Sequence, residues 1–285
     1  MPKICNYFIT FQCNDTCEFS TIWDREDLKK HEEKPFDFKP LKDAGVKQLN
    51  ILGGEPLLRQ DLVEVLKSAK QFGFRIALST NGILYAEKAK ELKGLVDDLY
   101  VYLDYPIEEE HDRSRGVECF REAIEAIKLA KELGQNPKIY FTVTRDSIRF
   151  LPEMLDLAEK LQVFIYLEPV YDFYGSQGFD PMSVQHVKYY GRRKNVLLNP
   201  AMWEFAKEGG NKNYLPRCRA RETVVTILPD GNTATPCFFN QNGRQGKENV
   251  CSSCMRWPYM LPSFSLGLDK YFWLNLWSKI KGGIR

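Results

Sequence analysis

Gln48-Leu49-Asn50-Ile51-Leu52-Gly53-Gly54-Glu55-Pro56 is a short β-prone run that stops on two glycines, a carboxylate and a proline. Just beyond it, Leu62, Val65, Leu66 and Ala69 fall at i, i+3, i+4 and i+7, the apolar face of an amphipathic helix. Strand, Gly-rich loop and helix in that order make a βα unit. The unit recurs in both directions. Strand-like runs lie at 4–11, 48–52, 75–79, 98–103, 138–143 and 163–167, and further helical stripes are Phe120, Ile124, Ile127 and Leu151, Met154, Leu155, Ala158. Six such units give the α/β class and predict a partial (β/α)6 barrel of TIM type, with its site at the C-terminal strand ends. A doubly wound sheet is the alternative topology.

The chain has 285 residues, 44% hydrophobic, 13% aromatic and 27% charged. That is room for one large domain with a smaller annex, and it is far from a disordered composition. Forty Lys and Arg against 38 Asp and Glu leave a net charge of +2, too little for a general nucleic-acid footprint, so no nucleic-acid partner is expected. The run Arg192-Arg193-Lys194 reads as a solvated turn. The opening residues are too polar for a secretory signal and no apolar run reaches the ~18 residues of a span, so a cytoplasmic location is expected. Eight cysteines in such a compartment point to metal binding or catalysis ahead of disulfides.

Two cysteine groups stand apart. The first lies in Thr10-Phe11-Gln12-Cys13-Asn14-Asp15-Thr16-Cys17-Glu18-Phe19-Ser20, where a loop after the first strand can put the Cys13 and Cys17 thiolates on one metal centre. The second is Cys218, Cys237, Cys251 and Cys254. A strand at 224–228, the turn Pro229-Asp230-Gly231-Asn232 and a return strand at 233–236 separate its first two members. Four thiolates suit either an iron–sulfur cluster or a structural zinc, the latter making a zinc-braced interaction protein. Cys5 and Cys119 read as small core residues. Gly53 and Gly54 permit close backbone approach to a ligand. Glu55 reads as a solvated carboxylate, free to meet an amine.

Cys13-x-x-x-Cys17-x-x-Ser20, Gly53-Gly54-Glu55-Pro56, Ser79-Thr80-Asn81-Gly82, Leu103-Asp104 and His111-Asp112-Arg113-Ser114-Arg115-Gly116 together resemble the radical S-adenosylmethionine (SAM) superfamily, over about residues 4–169. The resemblance implies that Cys13, Cys17 and the position of Ser20 hold a [4Fe–4S] cluster. It implies that Gly53, Gly54, Glu55 and Pro56 receive the methionine end of SAM, and that Thr80, Asn81 and Asp104 contact its methionine or nucleoside parts. His111 is given no catalytic role, and a surface polar residue is an equally good reading of it. The departure is Ser20, where the superfamily signature has cysteine, because a serine oxygen is a harder and more basic ligand than a thiolate. It reads as an engineered or inactivating replacement in a working enzyme; the alternative is a non-catalytic SAM- or cluster-binding protein with Ser20 native.

The stretch Ile227-Leu228-Pro229-Asp230-Gly231, with Cys218 before it and Pro236-Cys237 after it, resembles the Twitch and SPASM extensions of radical SAM barrels. That implies one auxiliary [4Fe–4S] cluster on Cys218, Cys237, Cys251 and Cys254. The expected division is a barrel at 1–205, an auxiliary-cluster domain at 206–257 and an amphipathic aromatic tail at 258–285. The implied reaction is reductive cleavage of SAM to a 5′-deoxyadenosyl radical that takes hydrogen from an unactivated C–H bond. It needs an electron donor such as flavodoxin or ferredoxin and a small-molecule, lipid or peptide substrate. The tail, with Tyr271, Phe272, Trp273 and Trp277 among Lys270, Lys279 and Lys281, reads as a helix packed on the protein. The alternative is contact with a membrane surface.

Overall fold

The first strand, β1 (Ile4–Thr10), is buried along nearly its whole length, as a parallel strand covered on both faces must be. Cys5, Tyr7 and Ile9 point toward the helical layer and join the main core, where Tyr7 packs against Phe36 and Phe38 at ring centroids of 5.7 and 6.3 Å. Alternate residues face the other side. There Asn6 meets Asn50 and Phe8 belongs to a second apolar cluster. The computed structural model describes residues 4–20, 22–24, 33–171, 180–211, 218–234 and 254–280.

Eight more strands follow: β2 (Gln48–Gly53), β3 (Arg75–Thr80), β4 (Asp98–Tyr102), β5 (Pro137–Val143), β6 (Phe164–Pro169), β7 (Val196–Leu197), β8 (Val224–Ile227) and β9 (Thr233–Ala234). They form one sheet in the order β7-β6-β5-β4-β3-β2-β1-β8-β9. Every pairing is parallel except β8 with β9. The first six strands match the sequence-based runs to within two residues, and the arrangement is the expected partial barrel. The strand β6 reaches two residues further than expected, because Thr142 and Val143 of β5 pair with Glu168 and Pro169. This extension puts Glu168 inside a strand.

The helices cover the outside. In Leu62–Gln71 the stripe Leu62, Val65, Leu66, Ala69 is buried, and in Leu151–Leu161 so are Leu151, Met154, Leu155 and Ala158. The third stripe is rotated from its expected line. In Phe120–Glu132 the buried residues are Ala123, Ala126, Ile127 and Ala130, with Phe120 and Ile124 only partly covered. The reason is close approach: Gly82, at φ +88°, leaves no room for a Cβ, which would lie 3.0 Å from the Ala123 Cα. Small side chains let the helix sit against that loop.

Two features place the C-terminal part on the barrel. The strand β8 pairs with β1 from Ile4↔Val224 to Tyr7↔Ile227, so the hairpin continues the barrel's own sheet; its turn carries Gly231 at φ +81° and an Asp230 side chain that accepts from the Asn232 amide at 3.0 Å. The second is the Trp257–Met260 segment. The Trp257 indole donates to the Pro169 carbonyl at 2.7 Å and the Asn6 amide to the Pro258 carbonyl at 2.9 Å. The segment thereby bridges β6 and β1. The tail forms the helix Lys270–Ile280 and packs beside Pro200–Lys207, with Tyr271 against Phe205 at 5.3 Å and Asn275 hydrogen-bonded to Asn199 at 2.9 Å. Trp273 and Trp277 stay 51% and 58% exposed. Among the described residues no helix is long and apolar enough to cross a membrane.

Candidate functional site

The loop after β1 is fixed by backbone contacts. Gly54 donates to the Thr10 carbonyl at 3.0 Å and Glu55 to the Gln12 carbonyl at 2.8 Å. A Cβ on Gly53 would lie 2.2 Å from the Thr10 oxygen and one on Gly54 2.0 Å from the Gln12 oxygen. The close approach that these glycines permit is therefore to the neighbouring loop, which is what holds Cys13 in place. On its other side the loop is tied to the helix Glu108–Arg115. The amides of Thr16 and Glu18 donate to the Arg115 and Ser114 carbonyls at 2.8 and 3.0 Å. Gly116 adopts φ +69°, and a Cβ there would meet the Thr16 hydroxyl at 2.0 Å.

The side chains in this frame form one polar network. The Cys13 thiol donates to Asp15 at 2.7 Å, and Asp15 also accepts from Asn81 at 3.2 Å and Arg115 at 3.3 Å. Arg115 lies 3.5 Å from the Cys17 sulfur and 2.5 Å from Asp104. Two buried atoms of this network have no partner, Arg115 Nη2 and Asp104 Oδ1. Burial works against the charge on Arg115, and Asp104, Cys17 and Asp15 outweigh it, so its pKa lies well above the usual range. Burial raises Asp15 and Arg115 with the hydrogen bonds outweighs that, leaving it below the usual carboxylate range. Burial, with Asp15 adding to it, pushes both Cys13 and Cys17 far up. A metal bound here must displace thiol protons.

Glu55 is not solvated as expected. It is 1% exposed, with Oε1 accepting from the Leu57 amide at 2.9 Å and the Thr80 hydroxyl at 2.8 Å, and Oε2 from the Asn81 amide at 2.8 Å. Strand β2 delivers it to a loop whose own amides need an acceptor, and Pro56 opens the short 3-10 turn that aims the Leu57 amide at it. Burial outweighs those bonds and holds its pKa up to about 7. His111 is likewise buried, not on the surface. Its Nδ1 accepts from the Asp104 amide at 3.1 Å, and desolvation brings its pKa down to about 3, so the ring is neutral. Asp112 caps the next helix by accepting from the Cys119 and Phe120 amides at 2.9 and 2.8 Å. Cys5 and Cys119 are core residues, as expected.

Cys13, Cys17, Ser20, Gly53, Gly54, Glu55, Asn81 and Arg115 all line one cavity of about 730 Å³ that runs down the barrel. Thr80 lies behind Glu55, and Asp104 behind Arg115. The same cavity is also walled by Tyr100, Tyr102, Tyr140, Tyr166, Tyr171 and Glu168. Sequence reading missed Asp15, Arg115 and Glu168. Asp15 stands between the two cysteines and Arg115 closes the His-Asp-x-x-Arg-Gly stretch, so their positions carried the signal. For Glu168 the signal was a carboxylate at the C-terminal end of a barrel strand. Of the second group, Cys218 and Cys254 are half-buried and meet at Asn211, whose side chain accepts from the Cys218 amide at 3.1 Å and whose amide donates to the Cys254 carbonyl at 3.0 Å. Cys237 and Cys251 lie outside the described residues.

Residues 7–157 match the family profile described as the radical SAM superfamily. The chain belongs to the radical SAM superfamily. SAM and a [4Fe–4S] cluster are the cofactors this membership carries. A Saccharolobus islandicus protein described as a probable GTP 3′,8-cyclase is 34% identical over 173 residues, covering 57% of this chain and 56% of that protein. The chain thus spans little more than half the length of that curated relative. A Thermoplasma volcanium protein of the same description is 29% identical over 262 residues, 87% of this chain and 79% of that one. Among solved structures, Streptococcus suis SuiB bound to S-adenosylmethionine superposes with a TM-score of 0.71 at 19% identity, over 93% of this chain and 67% of that one. This likeness concerns the fold.

The donor set fits SAM: an acceptor in Glu55 for an ammonium and an unpartnered Arg115 Nη2 for a carboxylate face one space or its wall. For the cluster, Cys13 and Cys17 supply two soft sulfurs, and Ser20 supplies oxygen on the same cavity.

Proposed function

We propose that the chain is a radical SAM enzyme whose third cluster ligand has been replaced by Ser20, leaving it impaired as it stands. In this reading Cys13, Cys17 and position 20 hold the cluster, Gly53 to Pro56 receive the methionine end of SAM, and Thr80, Asn81 and Asp104 act beside them. The observation that carries it is the convergence of the three signature positions, Glu55 and Arg115 on one cavity. When bound, the cofactors supply a 5′-deoxyadenosyl radical able to take hydrogen from an unactivated C–H bond. The chain's own work is positional. Glu55 orients the amine, Arg115 the carboxylate, and the apolar and aromatic barrel wall excludes water from the reacting carbon.

Cys218, Cys237, Cys251 and Cys254 would hold an auxiliary [4Fe–4S] cluster within residues 206–257, with a flavodoxin or ferredoxin supplying electrons. The shared hold of Asn211 on Cys218 and Cys254 supports their common site. Peripheral membrane contact through residues 258–285 rests on the exposed Trp273 and Trp277. The substrate class of the relatives, a nucleoside triphosphate, draws less support. The basic residues on the cavity wall are Lys47 and Arg115, and Arg115 is already paired with Asp104. The test is anaerobic SAM binding by calorimetry to the chain and to Glu55→Gln. Weaker binding by the variant supports the assignment, and equal binding contradicts it.

A further inference from the structure

Most of the buried charges on the barrel cavity are matched, and Glu168 stands apart from them. Arg115 is held by Asp104 and Asp15, and Asp98 by Lys138 at 2.9 Å. Glu55 has three protein donors. Glu168 is 4% exposed and lines the cavity. The Tyr140 hydroxyl donates to it, and among the described residues no salt bridge reaches it. Without a cation, burial keeps this carboxyl protonated, its pKa pushed up to about 8.

The surroundings of Glu168 are aromatic. The strand register puts Tyr102, Tyr140 and Tyr166 side by side on β4, β5 and β6, directly below Thr142 and Glu168. Tyr102 and Tyr140 have ring centroids 4.8 Å apart, Tyr140 and Tyr166 5.1 Å, and Tyr100 lies 5.8 Å from Tyr140. Tyr171 completes the set on the cavity wall. Both ends of this cluster already receive a cation on a ring face: Arg115 lies 5.1 Å over Tyr102 and Lys138 5.1 Å over Tyr100. Between them a buried carboxyl and several π-faces border open volume. That combination is how proteins bind alkylammonium groups.

We propose that Glu168, with Tyr102, Tyr140 and Tyr166, binds an organic cation, the alkylammonium end of the substrate, inside the barrel. The proposal rests on the reading of this cavity as the substrate space. It names the substrate class: a molecule that carries a primary amine several bonds from the carbon presented near Arg115 and Cys17. The path between the two ends is continuous, since Arg115 lies 3.5 Å from the Cys17 sulfur and over Tyr102, and Tyr102 packs on Tyr140, the partner of Glu168.

The test uses the full chain, purified without oxygen, with n-butylammonium chloride as the probe and 1-butanol as its neutral isostere, at matched ionic strength. Calorimetry or ligand-observed NMR should give butylammonium an affinity about tenfold or more above that of butanol. Glu168→Gln should bring the two probes to within about twofold while SAM still binds, and Tyr140→Leu should weaken butylammonium roughly fivefold. Equal affinities in the wild-type chain, or a cation preference that survives Glu168→Gln, would overturn the inference. Should Glu168→Gln not fold, an unchanged preference in Tyr140→Leu would overturn it instead. GTP binding that is tighter than butylammonium and lost in Glu168→Gln would show that the carboxyl reads a guanine edge, which also overturns it. Failure of amine binding with SAM binding intact leaves the radical SAM reading standing; failure of SAM binding in the wild-type chain removes that reading.

Discussion

Gly54 and Glu55 show how little freedom single positions have at the top of this barrel. Gly54→Ala drives a Cβ to 2.0 Å from the Gln12 backbone oxygen, and backbone cannot step aside as a flexible side chain would. We expect a loss of about 3 kcal/mol in urea unfolding, together with weaker SAM binding because the Cys13 loop must move. Glu55→Gln has a double effect. It removes the charge that meets an ammonium, and an amide nitrogen in place of either oxygen cannot accept, so the bond from Asn81 or those from Leu57 and Thr80 are lost and stability should fall by roughly 1 to 3 kcal/mol. Had Glu55 been solvated, only ligand affinity would change. The buried carboxyls also set a pH dependence. Glu168 keeps its proton up to about pH 8 in the folded chain and loses it near the ordinary carboxylate range when unfolded. The folded form therefore binds more protons between those values, and stability falls as pH rises. Above pH 6.5 His111, neutral in the fold, no longer opposes this. The melting temperature of the ligand-free chain should drop from pH 6.5 to 8, and Glu168→Gln should flatten that slope.

At the scale of elements, the tail helix Lys270–Ile280 is tied to the barrel by a buried polar pair and an aromatic cluster. Asn275→Ala leaves Asn199 Nδ2 without its acceptor, which should cost about 1 to 3 kcal/mol in thermal unfolding. If the helix were held only by its aromatic face, the variant would melt like the parent. The strands and two of the helices were legible in the sequence because their buried residues repeat at the strand or helix period. The line of Phe120, Ile124 and Ile127 misled, because contact with Gly82 selects alanines over larger side chains. The strand β7 is two residues long, too short for any period to register. Glu168 and the tyrosines escaped notice for a related reason: the lumen face of β1 to β6 carries Asn6, Asn50, Tyr140 and Glu168, polar residues that look like strand ends until the barrel closes around them. The pairing of β8 with β1 is long-range, and nothing local in 224–228 encodes it. At the motif residues, Cys13, Cys17 and Glu55 were found by pattern, whereas the burial of Glu55 and His111 needed the third dimension.

The whole molecule combines a superfamily barrel, a hairpin that follows Cys218 and is built into the same sheet, and a tail that presents two tryptophans outward. In the proposed reading Cys13, Cys17 and position 20 form one metal site on the cavity that SAM shares, and Ser20 is what limits it. The auxiliary site shares no ligand with that centre, so the chain as it stands should retain about four irons with sulfide, and Ser20→Cys should bring the total to about eight. The direct measurement is anaerobic formation of 5′-deoxyadenosine from SAM under reductant, by the chain and by Ser20→Cys at equal protein concentration. Ser20→Cys should form it at a rate about tenfold or more above the chain as it stands. Ser20→Cys that binds both iron and SAM and still forms no 5′-deoxyadenosine would contradict the proposed reading.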